Sequence, residues 1–206
     1  MANLQKYDRG LVYSPSGDLV SITYANKNIS KSRTVIAVKV PDGVKIYTQV
    51  EGFDWGVCNL TNFTIFGFGY AVDYLYFFKI AKYLYLNSAI RPGKLNIFKV
   101  FDAWHAEYLD GLRGKYARVH ACAFIVVDHL NSEIYDISID GDARPILKKY
   151  IAKGRYSDLI NTSWAEVKNI QKILTENLAD INFKSYLIKK QSRRPPWATY
   201  SSFGEK

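Results

Sequence analysis

Three side chains that cooperate in thiol chemistry stand at separate points of this sequence. They are Cys58 in FDWGVCNLTNF, His120 at the head of RVHACAFIVVDHLNSEIYDIS, and Asp136 near the end of that segment. Gly56 marks a turn and a dense apolar run follows, so Cys58 is expected to open a helix. Unsatisfied N–H groups and the positive end of the dipole would favour thiolate over thiol there. The same N–H groups could hold the oxyanion of a tetrahedral intermediate. An imidazole would stabilise the thiolate and protonate the leaving group, and a carboxylate would orient that imidazole.

Of the three histidines, His105 falls on an aromatic-rich helix and His129 in a turn, whereas His120 opens a strand, the most rigid platform. In HACAFIV, period two puts His120, Cys122, Phe124 and Val126 on one face. A chain reversal centred on Asp128 would bring Asp136 opposite His120. A longer loop would make Asp140 the orienting carboxylate, and a slip of one residue would separate the pair.

Gly56-Val57-Cys58 before a long apolar run resembles the nucleophile segment of transglutaminase-like proteins, within the papain-like cysteine hydrolases. His120-Ala121, an alternating strand, a polar turn and Ile134-Tyr135-Asp136-Ile137-Ser138 resemble that family's His and Asp segment, in the same Cys, His, Asp order. The position two after His120 is Cys122 where the family often carries tryptophan, and the tryptophan that commonly precedes its aspartate is absent. The resemblance implies an antiparallel sheet packed on a central helix that bears the cysteine. It also implies acyl transfer through a thioester on a protein or peptide substrate, as hydrolysis, deamidation or cross-linking.

The elements that must position these residues read as an α+β domain. Two hairpins are expected within 10–50: GLVYS with LVSITYA around PSGD, then TVIAVKV with GVKIYTQV around PDG. Dense apolar residues from Cys58 to Leu86 predict a helix, kinked or broken at Gly67 and Gly69. Phe98, Phe101, Trp104, Tyr108 and Leu112 recur at helical spacing and predict a helix ending near Gly111 or Gly114. After the hairpin at 118–138 come a short helix over 143–152 with Pro145 in its first turn, and a longer one over 164–178 capped by Thr162 or Ser163. A strand, FKSYLIKK, follows. Segregated helices and strands indicate α+β rather than α/β. Residues 1–188 are read as one domain and 189–206 as a basic tail.

Composition narrows the alternatives. The 206 residues are 48% hydrophobic, 15% aromatic and 23% charged, which predicts a folded chain. Cys58 and Cys122 are the only cysteines, too few for a disulfide scaffold or a structural zinc site. GFGY at 67–70 lacks the lysine of a phosphate-binding loop, and the pairs His105 with Glu107 and Asp128 with His129 lack further metal ligands. No cofactor or metal is therefore expected. Polar residues interrupt the uncharged stretch 55–72, so no membrane span is expected, and without a secretion signal the expected location is cytoplasmic, a host's cytoplasm if the source is viral or phage.

The net charge of +9 implies attraction to polyanions. The densest basic cluster is KKQSRR, in which Lys189, Lys190, Arg193 and Arg194 are candidate polyanion contacts. The alternative to a thiol enzyme is thus a basic, aromatic-rich protein that binds nucleic acid by phosphate pairing and stacking, or a viral or phage structural protein.

Overall fold

Two antiparallel sheets form the centre of the chain, with helices on both outer faces. The computed structural model describes residues 13, 15–17, 19–50, 56–90, 97–112, 120–167 and 169–191. In chain order these form α1 (Val20–Lys31), β1 (Val35–Val40), β2 (Gly43–Gln49), β3 (Val57–Asn59), β4 (Phe63–Gly69), α2 (Ala71–Ile90), α3 (Ile97–Leu112), β5 (Cys122–Asp128), β6 (Glu133–Ile137), β7 (Ala143–Pro145), β8 (Tyr150–Lys153), α4 (Ser157–Val167), α5 (Ile170–Asn177) and β9 (Phe183–Lys189). One sheet has the order β3-β4-β5-β6-β7 and the other β8-β1-β2-β9. The α+β expectation is met.

Strand alternation explains the layering. In β5, Ala123, Ile125 and Val127 join Phe66 and Phe68 of β4 on one face, where they meet Val35, Ala37, Val44 and Ile46 of the other sheet, with Ala25 and Ile29 of α1. On the opposite face, Cys122, Phe124 and Val126 meet Phe77, Phe78 and Ala81 of α2 and Phe101 and Trp104 of α3. Ile36, Val38 and Tyr47, on the outer face of the four-stranded sheet, receive Ile160 of α4 and Ile170 and Ile173 of α5. The order of layers is helices, sheet, sheet, helices. No helix among the described residues is long and apolar enough to cross a membrane.

Several expected elements are different ones. LVSITYA lies in α1: Ile22, Ala25 and Ile29 recur at helical spacing and dock as one stripe, which outweighs the β-branched alternation. Only Tyr13 of GLVYS is described, bridged to Leu19. The run from Cys58 to Leu86 is a hairpin followed by a helix. Leu60 and Phe63 exchange backbone hydrogen bonds across a tight turn, and Gly69, at φ +93°, ends β4 before α2 begins. Residues 143–152 form β7, a connection and β8. Pro145 sits in an edge strand, where a missing N–H costs no ladder bond. Over 164–178 there are two helices, the second capped by the Asn169 side chain, which accepts from the N–H groups of Gln171 and Lys172.

Candidate functional site

Cys58 lies in β3 and is 1% exposed, so the helix N-terminus expected to activate it is not where the thiol sits. Burial pushes its thiol up from the ordinary value, with Lys82 opposing. Cys58 pairs with Ile65, which pairs with Val126. His120 stands six residues before Val126, so it shares the helix-covered face with Cys58 but lies about 20 Å along the strand at roughly 3.3 Å per residue.

The hairpin reversal is centred beyond residue 130, because Asp128 pairs with Glu133. Asp136 therefore faces Ile125, on the sheet face opposite that of Cys58 and His120. Its Oδ2 lies 2.9 Å from Lys153 Nζ, an ion pair that joins the two sheets. Asp140, the alternative, accepts from the Ser138 hydroxyl, and its backbone carbonyl is hydrogen-bonded to His105 Nδ1. Cys58, His120 and Asp136 are not brought together.

His120 has a different carboxylate beside it. Its Nδ1 is 3.6 Å from Asp73 Oδ1, and Asp73 Oδ2 accepts the Ala121 N–H at 2.7 Å. Trp104 stacks on the imidazole with ring centroids 4.7 Å apart, and Tyr76 at 5.8 Å. Tyr70 N–H donates to the Ala121 carbonyl at 2.9 Å, so the start of α2 is stitched to the entry of β5. This cluster fastens a helix to a sheet.

A gathering of lysines among the described residues was not visible as a motif. The Lys39 N–H donates to the Lys149 carbonyl, Val40 pairs with Gly43, Gly43 pairs with Lys189, and the Lys190 N–H donates to the Asp42 carbonyl. These pairings line up Lys39, Lys148, Lys149, Lys189 and Lys190 across one end of the four-stranded sheet, with Asp42 the acid among them. From β8 to β9 the rim spans about 14 Å, three strand spacings of about 4.8 Å. Lys148, Lys149, Lys189 and Lys190 are exposed, and Lys39 is half-buried with its Nζ 2.5 Å from the Ile146 carbonyl oxygen.

Lys189 is thus the last residue of β9 rather than the start of a tail, and backbone bonding continues to Gln191, whose N–H donates to the His129 carbonyl. Arg193 and Arg194 lie outside the described residues. A sequence signal for the rim existed in the separate pairs Lys148-Lys149 and Lys189-Lys190, but strand order was needed to join them. Among the described residues, no group of three or more His, Cys, Asp or Glu could hold a metal ion. No protein-family model and no curated protein matches the chain.

Proposed function

We propose that this chain binds single-stranded nucleic acid, with the phosphate backbone crossing the lysine rim of the four-stranded sheet. The observation that carries this reading is the convergence of five lysines from three distant segments on one sheet end, in a chain of net charge +9. Ammonium groups set along a rigid edge suit a linear polyanion, and phosphate contacts of this kind supply most of the affinity in sequence-independent binding. Acyl transfer through Cys58 finds no support in a geometry that keeps its nucleophile, imidazole and carboxylate apart.

Anisotropy titration of a fluorescent single-stranded oligonucleotide over a salt series tests the proposal. Affinity is expected to fall as salt rises, with a log–log slope of about −0.7 for each phosphate neutralised. Changing Lys189→Ala and Lys190→Ala together should weaken binding and make the slope shallower by about 1.4 if both contact phosphates. An unchanged affinity and slope would remove the rim from consideration.

A further inference from the structure

A cleft of about 750 Å³ lies where the chain passes from one sheet to the other, bordered by β6, β7, β8 and the start of α4. Its volume is within the range of small-molecule sites, about 300–1,000 Å³. Arg144, Lys148 and Lys153 bring positive charge to it, and Asp136 brings one carboxylate. Asp136 divides its two oxygens. Oδ2 is held by Lys153, while Oδ1 is buried and out of reach of a molecule in the cleft. The cations suit a phosphate, and a ligand that also carries a hydroxyl or amine donor would use the backbone acceptors that the edge strand β8 turns outward.

The remaining wall fits such a ligand. Tyr150 is braced against Trp164, with centroids 4.2 Å apart, and its hydroxyl donates to Asn161 Oδ1 at 3.1 Å. That bond leaves the Asn161 amide N–H₂ as a donor at the rim of the cleft. β8 is an edge strand, and the Lys39 to Lys149 bond sets the alternation of its ladder. Tyr150 and Ala152 therefore direct their backbone N–H and C=O groups away from β1, towards the open side. Arg144 is paired to Asp142 at 2.6 Å through Nε, but its side chain is 79% exposed, so its terminal nitrogens remain available to a phosphate.

We propose that this cleft binds a nucleoside phosphate, with the phosphate on Arg144 and Lys148 and a sugar hydroxyl or base amine donating to the outward backbone carbonyls of Tyr150 and Ala152. The ligand is either a free nucleotide or the phosphorylated end of a strand. The choice of a nucleoside rests on the nucleic-acid reading above, whereas the demand for a phosphate together with a donor comes from the cleft alone.

Calorimetric titration of the full chain with adenosine 5′-monophosphate, adenosine and inorganic phosphate provides the test. The monophosphate is expected to bind at least ten times more tightly than either part. Arg144→Ala, a change at an exposed side chain, should weaken it at least fivefold, and Lys189→Ala with Lys190→Ala should leave it unchanged. Equal affinities for the monophosphate and inorganic phosphate, or indifference to Arg144→Ala, would overturn the proposal. Stronger competition by a 5′-phosphorylated oligonucleotide than by its unphosphorylated form, which shares the rim and Lys148, would make a strand end the ligand, and equal competition by the two, or none, would make it a free nucleotide. Should the lysine pair prove silent towards the oligonucleotide while Arg144→Ala still weakens the monophosphate, the rim falls and the cleft stands.

Discussion

Cys58 and His129 show how burial sets the chemistry of single residues here. With its thiol inside the core between β3, α2 and α3, Cys58 should remain unlabelled by iodoacetamide at neutral pH and react only on unfolding, as peptide mapping would show. His120→Ala should leave that labelling unchanged. Asp73→Ala removes the acceptor of the buried Ala121 N–H and should lower stability by about 1–3 kcal/mol in denaturant titration. The Thr64 hydroxyl donates to Asn59 Oδ1 at 3.0 Å, so it accepts from His129 Nε2 at 2.9 Å, and this fixes the neutral tautomer. Burial holds His129 below its ordinary value near 6.5, against the opposing pull of Thr61 and Asp128. As pH falls through 6.5, the unfolded chain takes up a proton that the folded chain refuses, so stability drops until the lower folded value is passed. His129→Gln should flatten this loss between pH 7.5 and 5.5. The residue types for a triad were legible in the sequence, but their meeting depended on a hairpin register. A reversal beyond residue 130 instead of at Asp128 was enough to move Asp136 to the other face.

At the scale of elements, the glycines of β4 decide how closely α2 can pack. A Cβ on Gly67 would come within 2.7 Å of Tyr74, so Gly67→Ala should cost about 1–3 kcal/mol by forcing the helix off the sheet. Thermal denaturation would measure it, and a neutral result would mean that α2 can shift without loss. The same residues misled the reading of the sequence. In FTIFGFG an apolar run buried on both faces lacks a period, so length argued for helix and the glycines looked like kinks. The β1 and β2 hairpin, the β5 and β6 hairpin and α3 were legible because each is marked by local pattern or turn residues. The docking stripe of α1 was present at 22, 25 and 29, but β-branched alternation over the same residues masked it.

For the whole molecule, sheet order does what local sequence cannot. The rim exists because segments around residues 39, 148 and 189 are neighbours in space, and the cleft exists because β7 and β8 are edges of different sheets. The same strand order sets a timetable for synthesis. The five-stranded sheet draws on the contiguous stretch from Val57 to Pro145, whereas β1 and β2 must wait for residues 150–153 on one side and 183–189 on the other. On a ribosome adding about 5–20 residues per second, the first hairpin therefore emerges early and spends seconds with both edges open to other chains. Chains stalled once Pro145 has emerged should resist protease across the five-stranded sheet while the β1 and β2 hairpin is still cut. Protection of that hairpin should arrive only when β9 is free of the exit tunnel, which makes nascent chains of this protein most vulnerable to mispairing through their oldest strands.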